Sequence, residues 1–249
     1  MSALRYVYAI CRPFSAALSA ELTGVGGVPP KLLRHGDLIA VVGAVPEREF
    51  AAEPLRRRLE DVHWLEATAR AHQGVVDALT AVTSPLPLRL ATVLRDDSGV
   101  RVMMEERRED FLRTLDRLDG RVEWDVSVYA GTPGDTGKSG SSGNLAAAFT
   151  RRLHDTLSEC AEENRLLTPR GQDSVRDASP GEEGEKIFDA AYLVPRADSG
   201  EFVARVNGKV GEEPGIRVEL TGPWAAYSFT RSTGLTGFTG LTGGTDRRS

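Results

Sequence analysis

Arg121-Val-Glu-Trp-Asp-Val-Ser-Val-Tyr129 carries the clearest period in the chain. Val122, Trp124, Val126 and Val128 alternate with Arg121, Glu123, Asp125 and Ser127, which divides the side chains between an apolar face and a wet one. A period of two marks a strand in a sheet with one buried face. Trp124 falls on the apolar side and reads as core. Upstream, Met104, Phe111, Leu115 and Leu118 lie on one helical face, and Gly120 stands where a left-handed C-terminal cap belongs.

Leu86 to Leu94 (LPLRLATVL) reads as another strand, closed by a turn at Asp96-Asp97-Ser98-Gly99. Pro54 suits the first turn of a long helix, in which Leu55, Leu59, Val62, Leu65, Ala69, His72, Val76 and Leu79 form one stripe. Leu38 to Val45 is apolar on both faces and so reads as a central strand, and Leu4 to Cys11 opens the set. Val25 to Pro30 is a Gly/Pro loop. Four strands with helices on one face predict an α+β fold, with a modified ferredoxin-like N-terminal domain over residues 1–130.

Residues 131–143 (GTPGDTGKSGSSG) have the composition of a flexible linker. Beyond it, residues 144–230 predict a smaller α+β domain. Asn144 caps a helix running to about Leu167, Lys186 to Pro195 and Ile216 to Leu220 are strands, and a helix spans Ser199 to Val210. Pro169 to Glu185 is polar and Gly-rich. Residues 231–249 repeat Thr-Gly-X without the proline of a collagen-like helix, a composition that predicts disorder.

The chain has 249 residues, with 31 basic against 36 acidic and a net charge of −5. That balance offers no general attraction to nucleic acid or to an anionic membrane. Apolar runs such as Leu38 to Val42 are far shorter than a bilayer span, and Arg5 and Arg12 interrupt any signal-peptide core. Cys11 and Cys160 are too few for a disulfide framework and read as small buried hydrophobes. These features predict a cytoplasmic protein with reduced thiols.

No catalytic pattern survives inspection. Gly131 to Ser139 resembles a phosphate-binding loop, but five residues separate its glycines instead of four, and Gly-Ser-Ser-Gly intervenes before the helix. Gly24-Val25-Gly26-Gly27 lacks the third glycine of a dinucleotide fingerprint and runs into Pro29-Pro30. His63 and His72 are nine apart on one helix and so face different ways, and no Cys or carboxylate pair completes a metal site. His72 reads as a hydrogen-bonded core residue, and His154 as a helix-surface residue. The expectation is a protein without catalytic residues, metal or cofactor.

Arg89 interrupts an apolar strand, so its guanidinium needs a partner. Either Glu123 clamps it across the sheet, or it serves partner binding. Trp64 flanks the apolar stripe and can seal the helix on the sheet. Trp224 follows Gly222-Pro223, where a strand turns.

Taken together, the landmarks are Tyr6-Val7-Tyr8-Ala9, Trp64-Leu65 with Ala71-His72, Leu86-Pro-Leu-Arg-Leu-Ala-Thr92, and Leu118-Asp-Gly120 with Glu123-Trp124. Ala190-Ala-Tyr-Leu-Val194 and Thr221-Gly-Pro-Trp-Ala-Ala-Tyr-Ser-Phe229 complete them. In this order the chain resembles the gas vesicle protein F/L family from Tyr6 to Phe229. Two departures stand out: Leu90-Ala91 where the family usually has Phe-Gly, and Ala225-Ala226 where it has Pro-Pro.

The resemblance implies a non-enzymatic accessory protein of gas vesicle assembly, cytoplasmic and associated with the vesicles. It implies partners in the small hydrophobic shell protein and other gas vesicle accessory proteins, with help in shell nucleation or formation. A shell-protein monomer exposes apolar surface, so its partner needs an apolar, aromatic-bearing groove. Trp224, Tyr227 and Phe229 are candidates to line or support that groove, and also to lock the last strand into its own core. Arg89 and Trp64 are further candidates for partner contact. The alternative function is a ferredoxin-like small-ligand sensor or regulatory binding module.

Overall fold

The computed structural model describes residues 3–19, 21–131, 141–167 and 185–232. The chain divides into two compact units, Gly120–Phe229 and the remainder, Met1–Asp119 with the residues from Thr230 onward.

The first unit is an antiparallel sheet built on β1 (Ala3–Cys11). Its neighbour on one side is β3 (Leu38–Pro46), paired in turn with β2 (Lys31–His35). His35 pairs with Leu38 across Gly36-Asp37, and Gly36 takes φ 58°, the conformation such two-residue hairpins need. On the other side of β1 lie two short segments in succession, β4 (Leu86–Pro87) and β5 (Val93–Leu94). Tyr8 has no partner in the β1–β3 register, which marks a bulge there, and Tyr6 and Tyr8, two positions apart, share one face with their ring centroids 4.9 Å apart.

A single turn, α1 (Glu47–Phe50), comes first, and the long helix expected from Pro54 is two: α2 (Ala52–Arg58) and α3 (Val62–Thr80). The Asp61 carboxylate accepts from the Trp64 amide and starts α3 afresh, so Leu59 and Val62, assigned to the inward stripe, stand exposed. The turn expected at Asp96 to Gly99 is instead the start of α4 (Asp97–Glu106), where the Asp96 side chain accepts from the Gly99 amide. Helix α5 (Arg108–Leu118) follows, so the single helical face expected is split: Met104 is buried from α4, Phe111, Leu115 and Leu118 from α5, and Gly120 takes φ 69°.

Strand β6 (Arg121–Ala130) does not close the first sheet, as the sequence reading has it. It is an inner strand of a second antiparallel sheet in the order β7-β8-β6-β9, so the unit boundary falls at Asp119–Gly120 and not beyond residue 130. Its neighbours are β8 (Glu185–Pro195) and β9 (Ile216–Trp224), with β7 (Glu163–Leu166) outside β8. Helices α6 (Ser141–Ser158) and α7 (Ser199–Asn207) supply Phe149, Leu153, Leu157, Phe202 and Val206 to the core. Opposite them are the even-numbered residues Val122, Trp124, Val126 and Val128 of β6.

Helix α6 stops at Ser158, short of the expected Leu167, and the chain re-enters the sheet as β7. Of the expected linker, residues 132–140 lie outside the described residues and 141–143 belong to α6. The polar stretch at 169–184, and the tail from residue 233 on, also lie outside them.

Candidate partner-binding site

In the second unit the geometry starts from Gly222. Glu123 pairs with Trp224 and Asp125 with Thr221, so Gly222 and Pro223 together face Trp124 alone. The bulge presses the chain onto β6: a Cβ on Gly222 would sit 2.9 Å from the Glu123 carbonyl oxygen and from Trp124 Cε3. Gly222 takes φ 132° and the Gly222-Pro223 bond is cis; β9 ends at Trp224, and beyond it the chain leaves the sheet and folds back toward Glu123 of β6.

What holds the returning segment is Glu123. This carboxylate is fully buried and accepts from the Ser228 backbone N–H and the Ser228 hydroxyl, each at 2.8 Å. Phe229 is fully buried, with the Arg165 guanidinium 5.5 Å from its ring centre. Ala225 and Ala226 are buried as well, whereas Trp224 and Tyr227 keep part of their surface open. Phe229 therefore supports the segment from beneath, and the surface it offers comes from Trp224 and Tyr227.

Arg89 is not the buried clamp. The strand expected over 86–94 breaks between β4 and β5, where Thr92 donates its amide (3.2 Å) and hydroxyl (2.8 Å) to the Arg89 carbonyl. Ala91 takes φ 61°, which turns the chain and leaves the Arg89 side chain exposed. Ala91 thus occupies a left-handed position natural to glycine. Its amide donates to the Tyr6 hydroxyl at 3.0 Å, and that hydroxyl also lies 3.0 Å from His72 Nδ1. His72 is the hydrogen-bonded core histidine expected.

From Tyr6 the contacts run outward, to Phe50 at 6.1 Å between ring centres and from Phe50 to Trp64 at 5.6 Å. Half-buried Trp64 closes this cluster, with Arg58 5.9 Å above its ring. The turn bearing Arg89 and the Trp64 end of α3 are therefore tied to one aromatic cluster.

Two features escaped the sequence reading. Gly24 and Gly43 flank Tyr8, each too close to its ring for a Cβ, and the Tyr8 hydroxyl accepts from the Val25 amide at 2.8 Å. The glycine loop is thus a seat for a tyrosine. In the second unit the buried Tyr192 hydroxyl lies 2.8 Å from Nδ1 of His154, which is partly buried rather than on the surface. Burial pushes both tyrosines upward, Tyr8 to about 12.

Among the described residues no group of three or more His, Cys, Asp or Glu is placed to hold a metal ion, and no helix is long and apolar enough to cross a membrane. Two surface concavities are open and lined mainly by charged side chains, one along Glu105 to Asp110 and one formed by Arg48, Pro54, Arg57, Arg58 and Asp61. Small-molecule sites are enclosed and mainly apolar, unlike either.

The model of the gas vesicle synthesis protein GvpL/GvpF family matches residues 4–136 and 142–231. The chain belongs to that family. It is 49 % identical to gas vesicle protein L of a Streptomyces species, over 91 % of this chain and 92 % of that protein. To gas vesicle protein F of the same source it is 27 % identical, over 90 % of this chain and 98 % of the relative. Among solved structures, gas vesicle protein GvpF from an Anabaena species superposes with a TM-score of 0.70 at 16 % identity, covering 92 % of this chain and 97 % of that one. The GvpL/GvpF fold thus persists where most side chains differ, and the chain is a mixed helix-and-sheet protein of gas vesicle synthesis.

Proposed function

We propose that this chain is a non-catalytic accessory factor of gas vesicle assembly, working in the cytoplasm at the vesicles. It binds the small hydrophobic shell protein, alongside other accessory proteins, and helps the shell nucleate or grow. The observation that carries this reading is the family match, which runs through both units from residue 4 to residue 231. The strand order β2-β3-β1-β4 supports reading the first unit as a modified ferredoxin-like sheet, with residues 12–30 standing where a crossover helix would be.

The partly open rings of Trp224 and Tyr227 contribute contact in the second unit, and Trp64 and Arg89 do so in the first. Aromatic and arginine side chains on a rigid support are the usual anchors of an interface. The test is capture of the purified shell protein by the full chain, paired with vesicle counts in a deletion strain. Capture that weakens at least tenfold in Trp224→Ala and Tyr227→Ala, with folding intact, supports the reading. Unimpaired vesicles in the deletion strain, together with no capture, would sink it.

A further inference from the structure

The outer edge of β9 is built to pair with itself. The Gly131 amide donates to the Gly215 carbonyl at 2.8 Å, which sets the alternation of the β6–β9 ladder. Arg217, Glu219 and Thr221 then direct their backbone groups to β6, and Val218 and Leu220 direct theirs outward. Those outward groups meet no hydrogen-bond partner among the described residues. The other edge strand, β7, has four residues against nine in β9. A long edge with outward amides and carbonyls is a template for a further strand.

The side chains of β9 say which strand. Ile216, Val218 and Leu220 lie toward the helices and are only half-buried. On the opposite face Arg217 and Glu219 sit 3.5 Å apart, with side chains 43 % and 35 % exposed. We propose that β9 pairs antiparallel with β9 of a second copy of this chain, about a two-fold axis at Val218.

In that register Val218 exchanges both backbone hydrogen bonds with its counterpart. Leu220 donates to the Ile216 carbonyl of the second copy, while the Ile216 amide keeps its own bond to Glu213. Arg217 faces Glu219 of the other copy on both sides of the axis, at the narrow pairs where cross-strand side chains approach most closely. Ile216 meets Leu220, covering the apolar surface left half-open. The charge order Arg-Val-Glu is self-complementary only in this antiparallel register, as an isologous contact requires. Pro223, which has no amide, limits how far the pairing extends.

Sedimentation of the full chain, with amide exchange read alongside, tests the pairing. The wild type forms dimers as concentration rises, and exchange of the Val218 and Leu220 amides slows in step. Glu219→Arg and Arg217→Glu, each facing like charges across the axis, sediment as monomers. Mixed in equal amounts they form dimers again, because each variant supplies the charge the other lacks. A role within one chain would not respond to mixing. A wild type that stays monomeric overturns the proposal. So does a dimer that either substitution leaves intact, or exchange at Val218 that ignores concentration.

Discussion

Glu123 and Ser228 are joined by two hydrogen bonds of 2.8 Å, one carboxylate oxygen taking the amide and the other the hydroxyl. The pair bridges 105 positions of sequence inside one unit, and Glu123 is fully buried. A buried carboxylate is tolerable only when both oxygens are satisfied, so the closing segment and the sheet depend on each other.

Removing the hydroxyl alone is the milder test. Ser228→Ala should cost about 1–2 kcal/mol, since one carboxylate oxygen loses its donor while the amide bond remains. Glu123→Ala should cost more, about 2–4 kcal/mol, because it also opens a cavity under the segment. Urea titrations of the two variants check the order, and equal midpoints would refute it.

At Ala91 the chain holds φ 61° without a glycine. Ala91→Gly should raise stability by about 0.5–1 kcal/mol, the relief of left-handed strain less the added unfolded-state entropy. A thermal midpoint that falls would contradict it.

Two glycines should respond in opposite directions. Gly222→Ala puts a Cβ 2.9 Å from the backbone of β6 at φ 132°, and should cost about 2 kcal/mol or more. Gly74 lies inside α3 with nothing within 4 Å of its Cβ position, so Gly74→Ala should add about 0.5–1 kcal/mol. Parallel chemical denaturation of both decides.

Alkaline pH should unfold the first unit early. Burial pushes Cys11 from 9.0 to about 12; Tyr8 rises from 10.0 to about 12, with burial outweighing the Val25 hydrogen bond. Both groups fold as the neutral form and have raised values. Their contribution is complete below about pH 9 and is lost on rising to about pH 12. Cys11→Ala and Tyr8→Phe should each flatten the fall in stability across that window, although each lowers stability at neutral pH. An unchanged slope would show that other groups carry the alkaline loss.

The sequence revealed strands wherever one residue's own neighbourhood decides the matter. β1, β3, β6 and β8 are runs of β-formers with a clear period or an apolar interior, and their bounds agree with the expectation to within a few residues. What escaped was whatever depends on a distant partner. β6 looks the same whichever sheet receives it, and only its pairing with β8 and β9 puts it in the second unit. The partner of Glu123 is not legible in the sequence, because Ser228, in the folded-back segment, has no local signal. The break at Arg89 follows from a left-handed alanine, a conformation the residue type argues against. β2 was legible in principle, since Gly36-Asp37 between two apolar runs is a hairpin signal.

The wiring of the second sheet has a consequence for the protein's synthesis. β6 emerges first, yet both its neighbours are encoded much later, β8 from residue 185 and β9 from residue 216. For most of the time the ribosome needs to make this half of the chain, Val122, Trp124, Val126 and Val128 belong to a strand with neither edge paired. The protein thus passes through a vulnerable stage as it is made, and the Ser228 contact, among the last to form, marks the end of it.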